Sequence, residues 1–240
     1  MKNIALIIAG GSGKRMGQEI PKQFLTVDDK PIIIYTLENF ENNEHIDEII
    51  VVCIEGWQNV LHAFCRQFNI DKVKHILSGG ETVQQSIFNG VKKAYELYDK
   101  NTCLIIHDSI RPLIDDSVLN DVIDVCHMYG NAVTSMPYNE QIFVIDDDFE
   151  TTSKFIPRET IRRVSTPQAY NLGKLYECYT YAFEHEIGIH GSSYTNTMMV
   201  ELGESLYLAK GSDKNIKLTT RDDFYIFKAY ITAKKDNLLK

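Results

Sequence analysis

The chain has 240 residues, 44% of them apolar and 24% charged, enough for a full core in one large α/β domain or two small ones. Its net charge of −8 argues against a broad nucleic-acid-binding face, which needs clustered Lys and Arg, yet leaves room for a local cationic pocket around a small anion. The five cysteines stand far apart, with no C-x-x-C pair and no Cys/His set at zinc spacing; Cys53, Cys103 and Cys126 fall in apolar runs as small core residues, which fits a reducing cytoplasm.

Residues 4–8 form a short apolar run, the pattern of a strand buried on both faces. It is too short for a signal peptide or a membrane span, and no other stretch approaches roughly eighteen apolar residues, so no membrane segment is expected. The run breaks into Ala9, Gly10, Gly11, Ser12 and Gly13, where glycines let a ligand approach the main chain. Lys14, Arg15 and Lys22 follow, around a Pro21-Lys22-Gln23 turn. A buried strand that empties into N–H donors and fixed positive charge is a place to hold phosphates. The loop is not a Walker A motif, because Arg15 follows Gly13-Lys14 and Ile8 stands where the first glycine belongs. Met16 stands where a dinucleotide fingerprint needs Gly or Ala. An ordinary glycine-rich turn is the alternative.

Helix and strand patterns then alternate. Ile33, Leu37 and Phe40 lie at helical spacing, and 48–54 reads as a strand. Residues 57–68 read as a helix with Val60, Phe64 and Phe68 on one side, and 72–77 as a weaker strand. Ser78-Gly79-Gly80-Glu81-Thr82 opens a helix in which Val83, Ile87, Val91, Ala94 and Tyr98 form an apolar stripe, so Val83 is expected in the core. A strand at 103–106 ends in His107-Asp108-Ser109-Ile110-Arg111-Pro112. Leu119, Val122, Ile123 and Cys126 mark a helix, and 131–136 a strand. This alternation predicts an α/β fold with βαβ units and a mainly parallel, twisted sheet flanked by helices.

Residues 137–160 alternate and are turn-rich, with Asp146-Asp147-Asp148 at their middle. They read as a protruding two-stranded arm with an acidic tip. An isolated hairpin is marginal in water, a reason to want a partner; a hairpin packed on its own domain is the alternative. Residues 161–164 return to the sheet, 171–186 and 194–202 read as helices, and 206–209 as a strand. Thr220, with Asp223 three residues on, caps a last helix carrying Phe224, Phe227 and Ile231. No repeat or linker interrupts the chain, so one domain over 1–240 with an arm is expected.

Asp108 is the leading single candidate for chemistry. It follows a buried strand, at the carboxyl end where open α/β sheets place ligands, and a carboxylate there can hold Mg2+ against nucleotide phosphates. A turn or capping aspartate is the alternative. His107 reads as structural, since no Ser or Cys nucleophile is paired with it.

The strings A-G-G-S-G-K-R-M, P-K-Q-F-L and H-D-S-I-R-P together resemble the nucleotidyltransferases that activate sugars and sugar alcohols. Among these the chain is most similar to the cytidylyltransferases acting on ribitol 5-phosphate and on 2-C-methylerythritol 4-phosphate, over its whole length. The resemblance implies a Rossmann-like nucleotidyltransferase fold and transfer of CMP from CTP to a polyol phosphate, with release of pyrophosphate. It implies Arg15, Lys22 and Lys217 as catalytic cations and Asp108 as the ligand of Mg2+. Ile8, Ala9, Gly10, Gly11, Ser12, Gly13, Gly79, Gly80, Ser86, Ser109 and Arg111 would hold the nucleotide, with Arg111 bracing either the turn or the nucleotide itself. Arg158, Thr166 and Lys217 would hold the acceptor; for Arg158 and Lys217 a solvated surface charge is the alternative. It also implies a homodimer formed by exchange of the arm. The chain departs from the family at Val83, usually Arg, at Glu140, Gln141 and Phe143 after Pro137, and at Asn196. The nucleotide half is mostly kept and the acceptor half is altered. H-D-S-I-R-P-L-I is closer to the ribitol type, which would serve surface polysaccharide; methylerythritol phosphate in isoprenoid synthesis is the alternative. A non-catalytic nucleotide-binding protein is the reading of another class, although such a protein would be free to lose Arg15, Lys22, Asp108 and Lys217.

Overall fold

The computed structural model describes residues 1–11, 20–191 and 194–236. Of the expected site, Ser12, Gly13 and Arg15 lie outside the described residues, as does Lys14. β1 (Asn3–Ala9) is followed by a single 3-10 turn at Lys22–Phe24, a short ribbon of β2 (Thr26–Val27) and β3 (Lys30–Pro31), and α1 (Ile32–Asn42). Strands and helices then alternate through β4 (Glu48–Cys53), α2 (Gln58–Gln67), β5 (Val73–Ser78), α3 (Val83–Leu97), β6 (Cys103–Asp108), α4 (Asp116–Tyr129) and β7 (Asn131–Pro137). A hairpin of β8 (Ile142–Val144) and β9 (Lys154–Ile156) precedes β10 (Arg162–Asn171), α5 (Leu172–His185), α6 (Thr195–Glu201), β11 (Leu208–Lys210) and α7 (Arg221–Lys235).

The central sheet has the order β11-β7-β10-β6-β1-β4-β5. All its neighbours run parallel except β10, which is antiparallel to both β6 and β7. Side chains alternate across a strand, so β1 serves two cores. Ala5, Ile7 and Ala9 join Ile33 and Leu37 of α1, Leu61 of α2 and Val122 of α4 on one face. Ile4 and Leu6 join Ile87 of α3, Tyr179 of α5 and Met198 of α6 on the other. Gly90 lets α3 press onto β1, where a Cβ would collide with Leu6 Cδ1. A third cluster sets Phe227 of α7 against Ile32, Ile110, Leu113 and Leu218. All five cysteines are buried and free. Among the described residues no helix is long and apolar enough to cross a membrane.

Three local expectations are corrected. The buried face of α2 is Leu61 and Cys65, whereas Val60 is exposed and Phe64 and Phe68 pack only at the edge of the core. Val83 is not core: it is 50% exposed at the first residue of α3. The short strand expected at 161–164 is in fact the ten-residue β10, whose register shifts between Ser165 and Gln168. Pro167 lacks an N–H for the ladder and falls within that irregularity.

The hairpin is built as expected, with Phe143 opposite Phe155. Its tip is closed by Asp148, which accepts the N–H groups of Glu150 and Thr151, and by Thr151 Oγ1 donating to Asp146 and Asp148. It pairs with no other strand among the described residues. Phe143, Phe149 and Phe155 are 53%, 79% and 68% exposed.

Candidate active site

The carboxyl ends of β6, β1, β4 and β5 line up. Ile8 pairs with Asp108, Ala9 with Cys53, and Cys53 with Ser78. The chain goes from β1 to β4 and β5 on one side and crosses back to β6 on the other, so the gap between β1 and β6 is a switch point, where ligands bind in such sheets. Two glycine turns meet beside it. A Cβ on Gly79 would stand 3.5 Å from Gly10 Cα and 3.2 Å from Ser86 Oγ, so only glycine keeps this approach relaxed. Ser86 is buried and accepts from Gly80 N at 2.9 Å while donating to the Thr82 carbonyl at 2.9 Å, which fixes the turn as it enters α3. Thr82 caps α3 by accepting from Gln85 N. The result is a cleft of about 650 Å³ lined by Ile8, Gly10, Gly11, Gly79, Gly80 and Ser86 with their neighbours, Val83 included.

Gln23 ties the next segment to this loop. Its buried amide donates to the carbonyls of Ala9 at 2.7 Å and Gly11 at 3.1 Å. Phe24 stacks on Trp57 with centroids 4.6 Å apart. These contacts seat half-buried Lys22 next to the glycine loop.

Asp108 lies at the other side of the switch point, about one-fifth exposed, and gathers two cations from loops and a hydroxyl from β10. Lys217 Nζ donates to Oδ1 at 3.1 Å and Arg111 Nε to Oδ2 at 2.9 Å. Thr166 Oγ1 accepts from Asp108 N at 3.1 Å and donates to Oδ2 at 3.4 Å. Burial alone would raise this carboxyl's pKa, but the charges of Lys217 and Arg111 outweigh it and hold the value at about 2. Arg111 also donates to the Asn215 carbonyl at 2.8 Å, and Asn215 Nδ2 donates to the Thr166 carbonyl at 2.8 Å. Asn215 therefore ties the Arg111 turn and its own loop to β10. His107 is fully buried, which pushes its pKa down to about 4, and its Nε2 meets the Arg111 carbonyl at 3.1 Å. It is a scaffold for the turn.

The structure thus brings Asp108, Arg111, Thr166 and Lys217 together, beside Ile8 and the glycine turns. It does not bring Arg158 to them. Arg158 sits in a 3-10 turn at the base of the arm, with Glu159 and the Asn139 carbonyl as its neighbours. Ser109 is buried, its carbonyl accepting from Thr36, and it does not line the cleft. Arg111 braces the turn, its two hydrogen bonds being spent within the protein. Gln23 and Asn215 carry no periodic or catalytic signal in the sequence; only P-K-Q and N-I-K-L-T, as strings, mark their places.

Among the described residues no group of three or more His, Cys, Asp or Glu is disposed to hold a metal. A single ionised carboxylate beside the cleft nonetheless fits Mg2+, which binds through one or two carboxylates and completes its shell with phosphate oxygens and waters.

Glycine turns able to receive phosphates, set across a switch point from a cation-rich carboxylate, are the equipment of a nucleotidyltransferase, and the sheet has that α/β fold. A solved 4-diphosphocytidyl-2C-methyl-D-erythritol synthase from Anaerococcus prevotii superposes with a TM-score of 0.81, 22% identity and 96% coverage of both chains. The family model IspD, 2-C-methyl-D-erythritol 4-phosphate cytidylyltransferase, matches residues 3–233, and the chain belongs to this family. The ribitol-5-phosphate cytidylyltransferase of Lacticaseibacillus paracasei is 54% identical over 96% of this chain and 98% of its own. The protein of the same name from Vibrio parahaemolyticus is 40% identical, covering 98% of each.

Proposed function

We propose that the protein transfers CMP from CTP to ribitol 5-phosphate. The observation that carries the reaction class is the Lys217–Asp108–Arg111 cluster, anchored to Thr166, next to the double glycine turn. The choice of acceptor rests on the two relatives of 54% and 40% identity; the name of the family model favours 2-C-methyl-D-erythritol 4-phosphate as the second reading.

CTP lies with its ribose and base along Gly79, Gly80 and Ser86 and its phosphates against the glycine-rich segment that begins at Ile8, with Ser12 and Gly13 taking part. An oxygen of the acceptor phosphate attacks the α-phosphorus in line. A new P–O bond forms, the bond to the bridging oxygen of the β-phosphate breaks, and pyrophosphate leaves with the electron pair. The nucleophile is already an anion, so no proton need move. The barrier is charge repulsion and positioning, which fixed cations relieve. Arg15 and Lys22 bear on the phosphates of CTP, while Lys217, Thr166 and Arg158 orient the acceptor. Asp108 would hold Mg2+, which would supply further charge neutralisation at the phosphates. Incubation with CTP, Mg2+ and each acceptor tests the reading: pyrophosphate should appear at least tenfold faster with ribitol 5-phosphate than with 2-C-methyl-D-erythritol 4-phosphate. The reverse ratio assigns the protein to the second reading, and release with neither leaves a nucleotide-binding protein.

We further propose that the chain is one nucleotidyltransferase domain whose arm, 137–160, joins two copies. The exposed phenylalanines on a hairpin with no other strand partner support this, and pairing would also carry Arg158 to wherever the second copy lies. Converting both Phe143 and Phe155 to Asp should turn a sedimenting dimer of about 55 kDa, twice the 27.5 kDa chain, into a monomer. A wild-type monomer at micromolar concentration would remove the proposal.

A further inference from the structure

We infer that Tyr194 is a positioning residue that holds the Lys217 ammonium in place for the reaction. The Lys217 Nζ lies over the Tyr194 ring, 5.6 Å from its centroid, while the same nitrogen donates to Asp108 Oδ1 at 3.1 Å. A lysine has four rotatable bonds and about a third of this side chain is exposed. One hydrogen bond leaves it room to swing; an aromatic face on a second side removes that room.

Tyr194 can do this because its own backbone is fixed from two directions. It is the N-cap of α6: its N–H donates to Thr197 Oγ1 at 2.8 Å, and its carbonyl accepts from Thr197 Oγ1 and from Met198 N at 2.9 Å each. The next residue, Thr195, is buried and meets the Tyr179 hydroxyl at 2.7 Å. Tyr179 donates in turn to Gln84 Oε1 at 2.9 Å, and Gln84 Nε2 donates to the Gly188 carbonyl at 2.8 Å. Gln84 is in the first turn of α3, immediately after Val83. A chain of hydrogen bonds therefore runs from the first turn of α3, which borders the nucleotide cleft through Val83, to the residue beside Tyr194. The ring also walls a small hollow of about 180 Å³ together with Thr82, Val83 and His190. Tyr194 stands where the nucleotide cleft and the Asp108 cluster adjoin, and it touches the cluster through Lys217.

The inference rests on the proposed CMP transfer, and wild-type pyrophosphate release tests that reaction by itself. The test of Tyr194 is a double-mutant cycle with Lys217. Tyr194→Ala should lower kcat about fivefold, the scale of one partly exposed cation–ring contact, with KM for CTP within twofold and the thermal midpoint unchanged. Tyr194→Phe, which keeps the ring, should restore kcat to within twofold of wild type. In a Lys217→Ala background, Tyr194→Ala should cost less than twofold, because the residue it positions is gone. Equal losses in both backgrounds would show that Tyr194 acts without Lys217, and a Phe variant as slow as Ala would assign the effect to the hydroxyl; either result overturns the inference. If Tyr194→Ala proves poorly folded, Tyr194→Phe and Tyr194→Leu carry the comparison, and equal rates for these two also overturn it.

Discussion

Asp108→Asn should lower turnover at least 100-fold while the protein still folds. The loss has two physical sources. The variant cannot hold a cation such as Mg2+ with a full negative charge, and it leaves Lys217 and Arg111 facing a neutral amide. Removing one preorganised electrostatic partner at a charge-transfer centre costs on the order of 100- to 1,000-fold. The stability cost is smaller, on the order of 1–3 kcal/mol, because the amide oxygen still accepts from one of the two cations and the site is partly open to water. The sign of the pH dependence distinguishes the variant from a general loss of structure. The folded pKa of Asp108 is depressed, so its contribution to stability is present above the ordinary carboxylate value of 3.8 and lost as pH falls to about 2. The gap in unfolding free energy between wild type and Asp108→Asn should therefore be constant from neutral pH to about 4 and close below it. A variant within fivefold of wild-type turnover would remove Asp108 from the reaction.

The strands that end at the site were legible because they are buried on both faces. NIALIIA, EIIVVC and CLIIHD are almost continuous apolar runs, and each stops where the sheet meets the cleft. A carboxylate that directly follows such a run is placed at a ligand-binding edge by the fold itself, which is why Asp108 could be singled out. The full length of β10 was not legible, for the opposite reason. Its RRVSTPQAYN carries arginines, a proline and few apolar residues at its start. Its strand character comes from pairing with β6 and β7, not from its own composition. Val83 misled because a helical stripe says which residues share a face but not where the covering layer ends. At the first residue of α3 the stripe runs past the sheet and overhangs the cleft. The same limit moved the buried face of α2 by one position, from Val60 to Leu61. Gln23, Asn215 and Tyr194 were beyond reach on pattern alone. Each is in a loop or at a cap, and its role exists only once distant segments close on one another.

The cations tell a related story. Positive side chains from the start and end of the chain were expected to converge on a nucleotide. Lys217 does reach Asp108 from 109 residues away, and Gln23 seats Lys22 beside the glycine loop. Lys217 and Arg111 share a single carboxylate, so two cations face one anion and the cluster keeps net positive charge. The ion pair with Asp108 keeps the Lys217 ammonium in place in a half-buried site.

Lys217→Ala is expected to separate rate from stability more sharply than Asp108→Asn. Turnover should fall about 100-fold, because the ammonium stabilises charge that moves between acceptor and nucleotide as the bond forms, and interactions made in the transition state are lost from kcat. KM for CTP should change less than threefold, since the glycine turns, Ser86 and Lys22 still hold the nucleotide. Stability should drop by less than about 1 kcal/mol: Asp108 keeps Arg111, so no carboxylate is left without a partner, and a partly exposed ion pair contributes little net free energy. Lys217→Arg should not restore the rate, as the planar guanidinium carries its charge further from the chain and favours a two-pronged bond to Asp108 over a single point of contact with a phosphate. Denaturant melts alongside initial rates of pyrophosphate release settle the matter. A kcat within threefold of wild type would show that Lys217 merely closes the loop at Asp108, whereas an intact rate for the Arg variant would show that charge alone, without the compact ammonium, is what the site requires.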